Sequence, residues 1–119
     1  MAAEGSANIL VKLFDVIESR KGADPEKSYV ARQFARGRAR IARKVGEEAV
    51  ETVVAALSEG KAELVEESAD LLFHLMILWA ASGVRPEQVY AALEAREGTS
   101  GLDAKKRKNG GGKDGGGGK

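Results

Sequence analysis

The chain has 119 residues, no cysteine and a formal net charge of +1 at neutral pH. This length allows one small domain with a modest core, and the lack of cysteine excludes disulfide frameworks and thiolate metal sites. The longest apolar stretch, residues 71–81, falls short of the ~20 residues that span a bilayer, and the N-terminus shows no secretory signal pattern. We therefore expect a cytoplasmic protein with no membrane partner.

Two short helices are predicted at the start of the chain. Apolar residues recur at helical spacing over residues 9–20, and the Gly22–Pro25 segment ends this helix. Ser28 is a candidate N-cap for a second helix, and Gly37 closes it in a C-terminal capping position.

Three more helices follow. The third covers residues 38–58, and the fourth covers residues 62–82 and ends at Gly83. Pro86 suits the first turn of a fifth helix over residues 86–96. The predicted apolar stripe of the third helix consists of Ile41, Val45, Ala49, Val53 and Ala56.

The last eleven residues, 109–119, are almost all glycine with lysine and aspartate, so we predict a disordered glycine-rich tail. The preceding residues, 1–108, are predicted to form one all-α domain, a bundle of four to five helices. The fourth helix is apolar nearly all round after Leu71, and such a helix needs covering on several sides. We therefore expect a homodimer with this helix at the interface and Trp79 near the seam.

Acidic residues lie where the core is expected. Glu47, Glu48 and Glu51 share one side of the third helix, at the margin of its apolar stripe, and Glu67 and Asp70 precede the apolar run of the fourth. Antiparallel packing of the two helices would bring both sets together. Buried carboxylates cost several kcal/mol unless a cation completes the arrangement, and the alternative is two ordinary solvent-facing acidic faces.

The chemistry of these acids favours Mg²⁺, with Mn²⁺ as a second possibility, because both ions prefer hard oxygen ligands. His74 is the only histidine of the chain, and we interpret it as a hydrogen-bonded core residue rather than a ligand. Met76 and Trp79 are interpreted as core or interface residues rather than a platform for a base.

A basic block precedes the acids and contains no acidic residue: Arg32, Arg36, Arg38, Arg40, Arg43 and Lys44. Arginine and lysine beside metal-binding carboxylates indicate a phosphate-bearing ligand. A nucleic-acid-binding module is a rival interpretation, but the nearby acids would repel a phosphate backbone that brings no metal, so we expect no nucleic-acid partner. A non-catalytic dimeric scaffold is another rival, and it leaves the placed acids unexplained.

Four stretches resemble the phosphoribosyl-ATP pyrophosphohydrolase family. They are RIARKVGEEAVETVVAAL, ESADLLFHLMILW, the preceding DPEKSYVARQFARG and the following LEAREGTSGLDAKKR. The E-E-x-x-E and E-x-x-D pair alone indicates only the wider all-α nucleoside triphosphate pyrophosphohydrolases, which include MazG-like proteins and dimeric dUTPases. The K-V-G-E-E-A-V-E run, S-Y-x-A-R and T-S-G-L narrow the resemblance to one family.

The resemblance implies Mg²⁺-dependent hydrolysis of phosphoribosyl-ATP to phosphoribosyl-AMP and pyrophosphate, the second step of histidine biosynthesis. A house-cleaning pyrophosphohydrolase acting on ordinary or damaged nucleotides is the alternative. The motif carboxylates carry over to this chain, with Glu48, Glu51, Glu67 and Asp70 as metal ligands and Glu47 as the residue that activates water. Catalytic roles are expected for Glu47, Glu48 and Glu51, and phosphate contacts for Arg36, Arg40, Lys44, Lys105 and Arg107.

Overall fold

The computed structural model describes residues 9–97, which form five helices and contain no strand, confirming the all-α class. The helices are α1 Ile9–Ser19, α2 Tyr29–Arg36, α3 Arg38–Ser58, α4 Lys61–Ser82 and α5 Pro86–Glu94. α1 ends one residue before the predicted Arg20 and α5 ends two before Arg96. In both places the backbone tightens, with the Arg20 and Arg96 amides donating to carbonyls three residues back.

The predicted capping residues end the helices as expected. The Ala31 amide donates to the Ser28 hydroxyl at 3.1 Å, so Ser28 satisfies one of the free amides at the start of α2. Gly83 has a φ of 74°, in the left-handed region that favours glycine, and the Val84 amide donates to the Trp79 carbonyl at 2.9 Å. The helix therefore ends directly after Ser82.

The most extensive packing lies between the two long helices, α3 and α4. They are joined through Glu59 and Gly60 only, so they run antiparallel. α1 and α2 pack against α4, and α2 also contacts α3. The buried core cluster draws on all four helices and contains Phe14, Ile17, Val30, Ile41, Met76, Ile77 and Ala80.

The predicted apolar stripe of α3 is wrong in its second half. Val53 is 57% exposed and Ala56 is exposed, whereas Glu48 and Ala55 are buried. The buried side starts at Ile41 as predicted and then continues through Glu48 to Ala55. α3 carries apolar residues on two sides, and packing against α4 selects the side that contains the glutamate.

A second compact unit of the chain begins at Glu87. It continues α5 to Glu94 and then makes a turn in which the Ala95 amide donates to the Ala91 carbonyl at 3.0 Å. Among residues 9–97, the structure contains no helix with the length and apolar character needed to cross a membrane.

Candidate active site

Three carboxylates from the two long helices converge between α3 and α4. Glu48, Glu67 and Asp70 each offer an oxygen, and these oxygens lie within 4.8 Å of one another; we name these three residues the acidic group. Glu48 lies on the buried side of α3 and is only 5% exposed. Glu67 is half-buried and Asp70 is exposed, one turn apart on α4. The antiparallel packing thus brings together acids that are far apart in the sequence.

Two oxygens of the acidic group lack the partners that buried carboxylates need. Glu48 Oε1 and Glu67 Oε1 are buried and accept no hydrogen bond. Burial raises the pKa of the Glu67 carboxyl above its ordinary value of 4.5, and the charges of Glu51, Glu48 and Asp70 raise it further. A divalent cation would supply a partner for these two oxygens, because carboxylate oxygens are its preferred ligands. This group of residues can therefore hold a metal ion.

The other two predicted acids lie on either side of the acidic group. Glu51 is near enough to Glu67 to raise the pKa of that carboxyl through its charge and a side-chain hydrogen bond, although it is not one of the three converging residues. Glu47 is farther out: its side chain is 55% exposed and lies 3.9 Å from the Lys44 ammonium. The residue predicted to activate water is thus accessible to solvent beside the buried carboxylates.

Thr52 links α3 and α4 next to Glu48 and Glu67. Its hydroxyl contacts the Glu48 carbonyl oxygen at 2.8 Å and the Glu67 carbonyl oxygen at 3.2 Å. The first contact is the usual one for a threonine within a helix, but the second crosses to α4. The backbones that carry Glu48 and Glu67 are therefore fixed relative to each other by one side chain.

A basic cavity of about 260 Å³ lies beside the acidic group, between α2 and the first half of α3. Its lining residues are Tyr29, Arg32, Gln33, Arg36, Arg40, Arg43, Lys44 and Glu47. The structure thus brings together three residues predicted to contact phosphate, Arg36, Arg40 and Lys44. All four arginines are exposed to solvent.

Sequence reasoning did not assign site roles to four of the lining residues. Arg32 and Arg43 belong to the basic block, and each is one turn or less from a predicted phosphate contact, so helical spacing could have included them. Tyr29 is part of the S-Y-x-A-R motif. Gln33 is buried, at 4% exposed, and no feature of the sequence marks it.

Lys44 belongs to both regions. It lines the basic cavity, and its ammonium lies 3.3 Å from Glu48 Oε2. The hydrogen bond to Glu48 is the main cause that raises the pKa of Lys44. In the absence of a metal or a substrate, this lysine neutralises part of the charge on the most buried carboxylate.

His74 is a hydrogen-bonded core histidine, as predicted. It is 6% exposed, its Nε2 lies 2.7 Å from the Tyr29 hydroxyl, and its Nδ1 lies 2.8 Å from the Asp70 carbonyl oxygen. Met76 is also a core residue, at 1% exposed, and Trp79 is half-buried against the same core cluster. Lys105 and Arg107, the two remaining predicted phosphate contacts, lie outside the described residues.

Comparisons with known proteins point to one family. The family model described as phosphoribosyl-ATP pyrophosphohydrolase matches residues 10–97. A phosphoribosyl-ATP pyrophosphatase of Paramagnetospirillum magneticum is 66% identical over 84% of this chain and 92% of its own length. Proteins of the same name from Azospirillum brasilense and Rhodospirillum rubrum are each 56% identical, over 84% and 82% of this chain and 90% and 83% of their own lengths.

Proposed function

The chain belongs to the phosphoribosyl-ATP pyrophosphohydrolase family, and we propose that it hydrolyses phosphoribosyl-ATP to phosphoribosyl-AMP and pyrophosphate, the second step of histidine biosynthesis. The bond that breaks joins the α phosphorus to the oxygen that bridges it to the β phosphorus. The observation that carries this proposal is the contact between a carboxylate group and a cationic cavity through one lysine, Lys44. These two regions fit a polyphosphate with a bound metal ion, because the carboxylates can bind the metal and the cationic cavity can bind the phosphates.

The proposed cofactor is Mg²⁺, held by Glu48, Glu67 and Asp70 with Glu51 beside them. The fit rests on the two buried carboxylate oxygens without partners and on the all-oxygen character of these ligands. When bound, Mg²⁺ supplies charge neutralisation for the phosphates and polarises the phosphorus that is attacked. Mn²⁺ has similar ligand preferences and is expected to substitute for it.

Arg36, Arg40 and Lys44 are proposed to hold the phosphate chain, with Arg32 and Arg43 extending the same cationic wall. Guanidinium groups match pairs of phosphate oxygens, and this geometry orients the scissile bond toward the acidic group. Lys44, which contacts Glu48 in the structure, would exchange this contact for one to a phosphate oxygen once the substrate is bound. Lys105 and Arg107 are proposed to add phosphate contacts, as the resemblance implies.

Glu47 is the proposed general base. It lines the cavity at the edge of the acidic group and is mostly exposed, so it is less committed to metal than Glu48. Its carboxylate takes a proton from the attacking water as the new bond to the α phosphorus forms. The bond from the α phosphorus to its bridging oxygen breaks, and the pyrophosphate that leaves is held by the arginines of the basic cavity.

A homodimer in the cytoplasm is the proposed working form. The support is an apolar surface of the long helices that the described residues leave exposed, formed by Val50, Val53, Val54 and Leu57 of α3 and by Val65 and Leu72 of α4. A second copy of the chain that covers this surface would bury apolar area whose exposure to water is unfavourable. Light scattering at micromolar concentration is expected to give twice the mass of the chain, and a monomer would contradict the assembly.

The activity is tested by pyrophosphate release from phosphoribosyl-ATP with and without Mg²⁺. We expect release only with the metal, together with formation of phosphoribosyl-AMP. A panel of ordinary and oxidised nucleoside triphosphates serves as the control for a house-cleaning enzyme. Faster hydrolysis of any member of that panel would contradict the proposed substrate.

A further inference from the structure

Tyr29 is held in place by three contacts in the wall of the basic cavity. Its hydroxyl lies 2.7 Å from His74 Nε2. Its ring stacks on Phe73, with centroids 6.4 Å apart and planes at 25°, and meets the His74 ring edge-on at 5.8 Å and 87°. Phe73 and His74 also pack edge-on against each other, with centroids 5.5 Å apart, so the two rings that support Tyr29 are themselves in contact.

The direction of these hydrogen bonds follows from the Asp70 carbonyl oxygen, which can only accept. His74 Nδ1 therefore carries the hydrogen that is donated to this oxygen at 2.8 Å. In the neutral ring, Nε2 is then the acceptor, and the Tyr29 hydroxyl donates to it. The phenol hydrogen is thus committed to His74, and the ring is the part of Tyr29 that remains for a ligand.

These contacts leave Tyr29 partly exposed. Tyr29 is 42% exposed although Phe73 and His74 cover two of its sides, and it lines the basic cavity with Arg32 and Arg36. Arginines alone would bind any polyphosphate, with or without a nucleoside. An aromatic ring adds affinity for the base of a nucleotide, because stacking of a base on such a ring is worth roughly tenfold to a hundredfold in affinity.

We propose that Tyr29 contacts the purine-bearing part of the substrate and so selects nucleotides over inorganic polyphosphates, with His74 and Phe73 as positioning residues. This inference rests on the proposed function and adds a specificity role to the same site. Its physical basis is pre-organisation: the ring is oriented before the ligand arrives, so binding costs little side-chain entropy. The hydroxyl takes no part in the chemistry.

The test compares Tyr29→Leu with Tyr29→Phe, which removes only the hydroxyl. Tyr29→Leu is expected to raise KM for phosphoribosyl-ATP about tenfold with kcat within twofold of wild type, because the loss falls on binding alone. Tyr29→Phe is expected to stay within about threefold. Inhibition by inorganic tripolyphosphate is the control, and its inhibition constant should change less than twofold in both variants.

The positioning role of His74 is tested by His74→Leu and His74→Gln, with the melting temperature and Mn²⁺ affinity of each variant measured alongside. Glutamine can still accept from the Tyr29 hydroxyl, so it should restore the part of the leucine effect on KM that comes from this hydrogen bond, which Tyr29→Phe limits to about threefold. The remaining effect of leucine comes from the lost edge-on contact with the Tyr29 ring. A Tyr29→Leu enzyme with unchanged KM, or with equal weakening of tripolyphosphate, would overturn the inference. Absence of hydrolysis by the wild-type protein would instead contradict the proposed function.

Discussion

The acidic group and the basic cavity share helix α3, yet they carry their charges in different environments. Glu48 is 5% exposed, and its Oε1 atom accepts no hydrogen bond. The four arginines of the cavity are all exposed. Like charges repel in both regions, but water screens the arginines and does not reach the buried carboxylate oxygens. Repulsion among the acids therefore lowers the free energy of unfolding, whereas repulsion among the arginines lowers it much less.

This difference shows how function is divided between the two regions. A partly buried, under-satisfied set of carboxylates has its charge balanced only when a cation binds, so metal should affect stability there. The exposed cations have no such dependence and should affect substrate affinity instead. The experiments below measure whether the acidic group affects stability and the basic cavity affects substrate affinity, or whether the two regions behave alike.

The largest effect is expected from Glu67→Gln. The activity should fall by more than about a hundredfold, because the bound metal contributes several kcal/mol to the transition state. The metal-free protein should keep or gain free energy of unfolding at neutral pH, since a carboxylate of raised pKa is removed. Pyrophosphate release and urea denaturation measure the two quantities.

The matched control for this prediction is Glu66→Gln, the exposed neighbour on α4. It is expected to leave both activity and stability unchanged. Loss of folding in Glu67→Gln would show that this glutamate is a structural residue rather than part of a metal site.

The next largest effect is expected from the metal itself. Mg²⁺ or Mn²⁺ at one hundred times its dissociation constant should add about 2.7 kcal/mol to the free energy of unfolding. The rise in melting temperature of the wild-type protein measures this, and Glu67→Gln should lose most of the rise. An unchanged melting curve at millimolar Mg²⁺ would argue against a site built from the acidic group.

The third prediction concerns Lys44, the residue that both regions share. Lys44→Ala should lower kcat/KM about ten- to hundredfold, the equivalent of a charge-assisted contact of roughly 1.5–3 kcal/mol. Stabilisation by Mg²⁺ should persist and grow, because Glu48 then lacks its cationic partner in the metal-free protein. Steady-state kinetics and melting curves measure both.

Two controls accompany Lys44→Ala. The exposed Lys61 at the start of α4 is the matched lysine, and Lys61→Ala should retain wild-type kinetics. Deletion of residues 109–119, the predicted disordered tail, should change neither quantity. Wild-type kcat/KM in Lys44→Ala would break the link between the cavity and catalysis.

The smallest effect is expected from pH, because Glu67 is only half-buried. Its pKa is raised in the folded protein, so the folded state holds the proton more tightly than the unfolded state does. The stability of metal-free wild type should fall relative to Glu67→Gln as pH rises from 4.5 through the raised pKa. Thermal melts of both proteins from pH 4.5 to neutral measure it, and saturating Mg²⁺ at neutral pH should reverse the difference, because only the wild type gains stability from the metal.

Much of the fold could be predicted from the sequence because its signals are local. Ser28, Gly37 and Gly83 fixed helix ends through backbone requirements that involve only neighbouring residues. The spacing of Glu67 and Asp70 placed them on one turn of a helix without knowledge of any contact. The basic block could be recognised in the sequence because no acidic residue interrupts it.

The buried side of α3 was not predictable in the same way. Val50, Val53, Val54 and Leu57 are exposed, while Glu48 is buried on the side toward α4. Of these four exposed residues, the predicted apolar stripe had placed Val53 inside. Which side of such a helix is buried depends on its partner, and a single helix sequence does not contain that information.

The sequence by itself determined the helices, their ends, the oxygen-only ligand set and the basic block, since propensity, capping and charge act within a few residues. Only the tertiary structure decided that Glu48 meets Glu67 and Asp70 within 4.8 Å, that Lys44 links them to the cavity, and that Tyr29 is held by His74. These contacts join residues on different helices or on different turns. Antiparallel packing sets their distances, and no local pattern along the chain encodes them.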